Sequence, residues 1–441
     1  EKRDLFQECL NILKQENKNL IDAACSSRGY DREDPMQKHL VGETPILSTV
    51  LCAHWIRGGV EFFDELARRN RPPRGVRSTP RPDGTTRVRM LPRNMLDNLV
   101  GDMGVFPAVP LGDGGSFDVV VRGPPRQFSP LAAPPSVTGV LGAGNTENNN
   151  DVVDPLCKLN SVVVYKSNPV SAQCAAVKAR VFRPLIERGF LAFVYGGVDQ
   201  GRAIAESAKV DRLVMTGSCH TYDKIVWDGR NKSDPTVEPA LAKPVIAELG
   251  SVNPYVVVPG DSPWSDAEID YQAEVLVAYR MLNNGHLCAS PQVVVTCRRW
   301  PQRDQFLSAV RKNLCNAPAT RCFYPGVQAV YAKFAENAKD ESLCNPIDSL
   351  SFGRDQTPPI LETDVWTPES DEPLPLGVRE EAFCPVLLEV ALDTVADLPS
   401  FLPVAVDFCN QRCWGSLTCT TIVDDAAKTR HRGVLDAALD R

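Results

Sequence analysis

The stretch SVVVYKSNPVSAQCAAVKARVFRPLIERGFLAFVYGGVDQGRAIAESAKVDRLVMTGS, Ser161–Ser218, decides the fold. Ser161–Tyr165 is a β-branched run that reads as a strand, and Ser171–Ile186 reads as a helical segment interrupted by Pro184. Phe190–Tyr195 is a second strand ending in Gly196-Gly197, Gly201–Ala208 a short helix, and Arg212–Met215 a third strand running into Thr216-Gly217-Ser218. Strands that alternate with helices and turn at glycines predict an α/β fold with a mainly parallel sheet, whose ligands sit at the strands' C-terminal ends. Thr216-Gly217-Ser218 stands at such an end, where helix N-terminal amides can hold phosphate. Taken alone, the same three residues serve equally well as an ordinary helix cap.

Upstream, Ser136–Leu141 reads as a strand running into Gly142-Ala143-Gly144-Asn145, a partial G-x-G pattern with Glu147 where a dinucleotide fingerprint has its third glycine. Residues 1–68 carry helical spacing, with Leu5, Cys9, Ile12 and Leu13 on one face and Val60, Phe63 and Leu66 on another. From Asn70 to Arg93 prolines, glycines and arginines predict an irregular solvated loop. Short apolar runs between Val105 and Phe128, clearest at Phe117–Val121, suit a small β excursion. Downstream the alternation resumes. Pro244–Ala247, Tyr255–Val258, Gln292–Thr296 and Val386–Val390 read as strands, Asp266–Leu282 and Gln302–Leu314 as helices, and Ser351–Gly377 as a long acidic, proline-rich loop. A second α/β domain therefore begins near Gly250.

With 441 residues the chain has room for two or three domains with sizeable cores. Its net charge of −7 and the lack of any long Lys/Arg block argue against a nucleic-acid or anionic-membrane surface as main partner. No run reaches the eighteen apolar residues of a membrane helix, and the first residues, EKRDLFQECL, lack a secretory apolar core. These features predict a soluble intracellular protein, cytoplasmic or in an organelle matrix. Fifteen cysteines scattered through apolar segments read as reduced thiols, not a disulfide framework. Cys409, Cys413 and Cys419 come nearest to a metal set, but no CxxC pair or nearby His supports them, so no metal is expected.

One thiol stands apart. Asn283-Asn284-Gly285-His286-Leu287-Cys288 places it behind a polar, glycine-broken turn after an apolar helix, a setting suited to a nucleophile, while Ala247-Glu248-Leu249-Gly250 ends a strand with a carboxylate. Most thiols in such a chain are core filler, and Glu248 alone reads as a solvent-facing strand end.

Five segments in order resemble the aldehyde dehydrogenase superfamily from about Val137 onward: VVVYKSNP, MTGS, AELGSVNP, NNGHLC and REEAFCPVL. The resemblance implies an aldehyde-dehydrogenase-like fold, a Rossmann-type cofactor domain plus a second α/β catalytic domain. Residues 1–110 and 129–249 would form the helical N-terminal region and NAD(P)-binding domain, 111–128 a small oligomerisation-type β excursion, and 250–441 the catalytic domain. It implies NAD or NADP as cofactor, held by Lys166, by Gly197 and Gly201 in the strand-to-helix turn, by Thr216, Gly217 and Ser218, and by Glu381 and Phe383 at the nicotinamide ribose. Cys288 becomes the nucleophile, Glu248 the general base, and Asn145 the oxyanion donor beside the Cys288 amide. His286 is a loop residue in this scheme.

The chemistry fits those residue types. A thiolate attacks a carbonyl and later leaves, preorganised donors hold the oxyanion, and a carboxylate whose pKa burial has raised activates the water that hydrolyses the thioester. The sequence departs from the family's pattern at Pro169, where a Glu usually reads the ribose hydroxyl, at Gly250-Ser251-Val252, at Cys384, and after Leu435–Arg441, where the family continues into a glycine-rich segment and a β-arm. The expected function is NAD(P)-dependent oxidation of a small-molecule aldehyde to its acid, by a homo-oligomer or a subunit of a larger complex. A CoA-acylating dehydrogenase or acyl reductase is one alternative, and a degenerate dehydrogenase serving as a structural subunit is the other.

Overall fold

The computed structural model describes residues 1–71, 75, 77–91, 116–126, 129–318, 320–338, 342–344, 356–367 and 373–441. Two compact units emerge. The first comprises Glu1–Ser27, Pro45–Thr216 and Thr221–Ala247, the second Arg28–Thr44, Gly217–His220 and Glu248–Arg441.

Strands β4 (Ser136–Leu141), β5 (Ser161–Lys166), β6 (Leu191–Val194), β7 (Arg212–Gly217) and β8 (Val245–Leu249) form a sheet ordered β6-β5-β4-β7-β8. Its β4-β5, β4-β7 and β5-β6 pairs are parallel. The chain runs outward from β4 to β6, then returns to lay β7 on the other side of β4. The strand order thus reverses between β4 and β7, and the crevice beyond their C-terminal ends is where such sheets take ligands. The helix Lys2–Arg28 contributes Phe6, Cys9, Leu13 and Leu20 to a core shared with Val140, Val163, Val181 and Leu185.

In the second unit β9 (Asn253–Val257), β10 (Pro291–Cys297), β11 (Ile360–Glu362), β12 (Val386–Leu392) and β13 (Thr420–Ile422) form a parallel sheet ordered β11-β12-β10-β9-β13. Every residue of β9, β10 and β12 is buried, as expected of parallel strands covered on both faces. One carboxylate lies inside. Glu389 accepts two bonds of 2.8 Å from Arg303 and one of 2.7 Å from the Asp364 amide, so its charge is paired and satisfied.

The structure corrects the sequence reading at several points. Asn70–Arg93 is not irregular throughout: β1 (Arg77–Pro80) and β2 (Thr85–Leu91) make an antiparallel hairpin, and β3 (Phe117–Arg122) pairs with β2. Pro80 is tolerated because β1 is an edge strand, and Asp83-Gly84 closes the turn with Gly84 at φ +81°. The Asp83 carboxylate accepts from the Thr85 amide at 2.9 Å. Of the expected β excursion, residues 92–115 and 127–128 lie outside the described residues. Ser351–Gly377 contains strand β11, carried by buried Ile360 and Leu361, with 351–355 and 368–372 outside the described residues. The helix expected at Gly201–Ala208 begins earlier and spans Val198–Glu206. The helical break falls at Phe182, and Pro184 sits in the first turn of Arg183–Glu187, where its missing amide proton is not needed.

Candidate active site

The helix Asp266–Met281 starts at a capping box, Ser265 accepting from the Glu268 amide at 3.3 Å and Glu268 from the Ser265 amide at 2.7 Å. It ends because Asn283, Asn284 and Gly285 adopt φ of 56°, 54° and 76°, a left-handed run that asparagine and glycine tolerate. The chain then turns through Cys288 into β10.

This turn is held from within the second unit. The Glu43 carboxylate accepts from the Asn283 amide at 3.1 Å, Arg28 Nε donates to Asn283 Oδ1 at 3.2 Å, and Asn283 Nδ2 donates to the His286 carbonyl at 3.1 Å. Asn284 donates to the Tyr30 hydroxyl and accepts from the Arg321 amide. Asn253, buried at the start of β9, sends Nδ2 to the carbonyls of Cys288 at 2.7 Å and Ser290 at 2.8 Å. Arg280 donates to those of Gly285 and Pro291. His286 is buried among Phe323, Tyr324 and Phe383, and its Nδ1 lies 2.6 Å from the Phe383 carbonyl. It packs the loop.

Cys288 is half-buried. Burial first, and then the charges of Glu381 and Glu248, push its thiol up to about 11, against its own amide and that of Ala289. Glu248 is the penultimate residue of β8 and is exposed. Glu381 lies deeper. Burial raises its carboxyl to about 7, opposed by the Ser251 amide and by Arg280. The carboxylate is seated against Gly250, where a Cβ would stand 1.9 Å from Oε2, so a side chain there would displace it. Glu381 thus combines burial with a carboxyl raised towards neutrality, whereas Glu248 is open to solvent. Phe383, at φ +50°, rests its ring on His286.

The first unit carries most of the other candidates. Lys166 closes β5 and is buried, which pulls its ammonium below the ordinary lysine range. Asn145 is buried in the loop after β4. Gly197 caps the helix Val198–Glu206 with open space where a Cβ would be, and a Cβ at Gly201 would make ordinary contact with Leu141 of β4 at 3.7 Å. Thr216 and Gly217 end β7, and Ser218 follows. The structure therefore brings Cys288, Glu248 and Glu381 together electrostatically, and sets Lys166 and Thr216 at the C-terminal ends of β5 and β7 and Asn145 just beyond that of β4. Arg280, Asn253 and Glu43 escaped the sequence reading. The one signal for Arg280 was a lone cation inside the apolar run VLVAYRML.

Three buried groups near the turn titrate away from their ordinary values. Burial raises Glu43 to about 7 against the Asn283 amide and Arg28, while burial, reinforced by Arg280 and Arg28, lowers His286 to about 4. The folded state keeps protons on Glu43 and Glu381 that the unfolded chain releases near 4.5, so their part of the stability falls as pH rises from about 4.5 to 7. His286 acts oppositely between about 4 and 6.5, gaining stability as pH rises. Glu43→Gln keeps an acceptor for the Asn283 amide and removes one falling contribution. The variant is expected to gain stability over wild type by on the order of 2 kcal/mol at pH 8 and little at pH 5. Urea melts at the two pH values check it, and curves offset equally at both would refute the assignment.

Among the described residues no helix is long and apolar enough to cross a membrane. Residues 153–320 match the model of the aldehyde dehydrogenase family. A search of curated proteins finds no match. The fold is similar to an aldehyde dehydrogenase C variant from Pseudomonas syringae solved with NAD+ and octanal, at 16% identity and TM-score 0.62, covering 99% of this chain and 74% of that one. It is similar to an NAD-dependent benzaldehyde dehydrogenase from Corynebacterium glutamicum, at 17% identity and TM-score 0.61, covering 98% and 78%. An NADP-dependent glyceraldehyde-3-phosphate dehydrogenase from Bacillus halodurans, solved with NADP, matches at 14% identity and TM-score 0.60, covering 99% and 75%. At these identities the likeness is one of fold.

Proposed function

We propose that this chain, whose residues 153–320 match the aldehyde dehydrogenase family, oxidises an aldehyde to a carboxylic acid, with Cys288 as nucleophile and NAD or NADP as hydride acceptor. The observation that carries the reading is the thiol of a tightly held loop lying under the field of two carboxylates, Glu381 and Glu248.

A dinucleotide fits the first unit. The sheet reverses its order between β4 and β7, and the N-terminus of Val198–Glu206 opens at Gly197. Lys166, Gly197, Gly201 and Thr216 in the first unit, and Gly217, Ser218, Glu381 and Phe383 in the second, are the residues proposed to hold it. When bound, the nicotinamide supplies the acceptor for the hydride that aldehyde oxidation releases.

Near neutral pH Cys288 is a thiol, so it must give up its proton to a neighbouring carboxylate before it attacks. Its sulfur bonds to the carbonyl carbon, and the Cys288 amide, with Asn145 as the proposed second donor, receives the oxyanion. Loss of hydride leaves a thioester on Cys288. Glu248, open to solvent, takes a proton from the attacking water, the carbon–sulfur bond breaks, and the acid departs with the thiolate restored.

Aliphatic and aromatic aldehydes presented with NAD and with NADP, with and without CoA, are expected to give reduced cofactor and free acid independently of CoA. Glu248→Gln should keep a first-turnover burst of reduced cofactor while steady-state turnover drops about 10²- to 10⁴-fold. An acyl-CoA product, or loss of the burst, would reassign the deacylation step. An inert wild-type enzyme that still binds the dinucleotide would reject the dehydrogenase reading.

A further inference from the structure

We propose that Arg280 is a positioning residue for Cys288: its buried guanidinium pins the carbonyls of Gly285 and Pro291, one on each side of the nucleophile, and so fixes the loop on which the thiol stands. Nη2 lies 2.6 Å from the Gly285 oxygen and Nη1 3.0 Å from that of Pro291, and Cys288 is midway between the two. Asn253 holds the carbonyls of Cys288 and Ser290 in between. A Cβ at Gly285 would come within 2.7 Å of Nη2, so the guanidinium fills the space inside the turn.

Packing alone does not explain an arginine here. The side chain is among the largest fully buried ones, and among the described residues no carboxylate lies within ion-pair distance of it. An apolar residue of similar length would fill the site without desolvating a charge. What an apolar residue cannot do is donate to two carbonyls, one ending the left-handed turn at Gly285 and one starting β10 at Pro291. Burial draws the guanidinium down to about 10, so it stays charged near neutral pH and its hydrogen bonds are charge-assisted.

The proposal rests on Cys288 being the nucleophile, and the test separates the two ideas. Arg280→Met and Arg280→Lys are made in the full chain. Three quantities are read: kcat and cofactor KM, the rate of iodoacetamide alkylation at each cysteine by peptide mass spectrometry, and hydrogen exchange of the peptide spanning 282–292. In Arg280→Met kcat is expected to fall at least tenfold with cofactor KM within twofold. Cys288 alkylates at least threefold faster as the loop is released, while buried Cys297 keeps its wild-type rate, and exchange rises only in the loop peptide. Arg280→Lys should recover part of each change. Wild-type alkylation and loop exchange in folded Arg280→Met would overturn the proposal. Where Arg280→Met also exposes Cys297, Arg280→Lys decides: faster alkylation confined to Cys288 supports the proposal, and unchanged Cys288 overturns it. A wild-type enzyme without dehydrogenase activity counts against the proposed function and leaves the alkylation and exchange results standing as the test of Arg280.

Discussion

Cys288→Ala is expected to lower aldehyde-dependent reduction of NAD or NADP by at least about 10⁴-fold while dinucleotide binding persists. The substitution removes only the sulfur. The loop stays in place because its anchors act on main chain, Asn253 on the Cys288 and Ser290 carbonyls and Arg280 on those of Gly285 and Pro291. Neither Cys297 nor Cys384 can substitute, since Cys297 is buried within β10 and Cys384 is buried with its thiol pushed far up. None of the residues proposed to hold the dinucleotide is altered. Initial rates beside a dinucleotide binding isotherm check the prediction. Turnover within tenfold of wild type would eliminate Cys288 as the nucleophile, and parallel loss of binding would show that the substitution had damaged more than the thiol.

The parallel sheet around β4–β7 was legible because Ser161–Ser218 writes its period into local sequence, β-branched runs ending at glycines between helical stretches. The hairpin β1–β2 was missed although Pro-Asp-Gly is itself a turn signal, because the density of proline and arginine outweighed the alternation of TTRVRM. At the site, Cys288 was visible from its turn. What holds the turn was not. Glu43 meets Asn283 across 240 residues of sequence, and an arginine in a helical run reads as a solvent-facing charge until the carbonyls of the chain that follows fold back over it. The environments of the two carboxylates were equally hidden. Both end apolar segments next to small residues, and only tertiary packing exposes Glu248 while pressing Glu381 against Gly250.

Glu147 shows how a departure from a motif can have a structural cause, and it supports the second large effect. It stands where a dinucleotide fingerprint would have its third glycine, and in the fold its carboxylate is buried 3.1 Å from Lys178 Nζ. Lys178 also donates to the Tyr165 hydroxyl at 3.2 Å, and Tyr165 lies so close to Gly142 that a Cβ there would come within 2.5 Å of the hydroxyl. The pair thus ties the helix Ala172–Val181 to the loop after β4 that carries Asn145. Burial works against the lysine's charge, but Tyr165 and Glu147 outweigh it and keep the ammonium protonated. Lys178→Met leaves the Glu147 carboxyl buried near Cys52, Cys174 and Tyr165 without its cationic partner. This should cost about 3–5 kcal/mol, far above the usual effect of a single substitution. The double variant Lys178→Met/Glu147→Leu removes both charges and is expected to recover most of that loss, so a double-mutant cycle by urea unfolding should report a coupling of several kcal/mol. A cost below about 1 kcal/mol for Lys178→Met would mean that Glu147 is held by the loop and not by the ion pair. In that outcome the link between the lysine's helix and the β4 loop would rest on apolar packing alone.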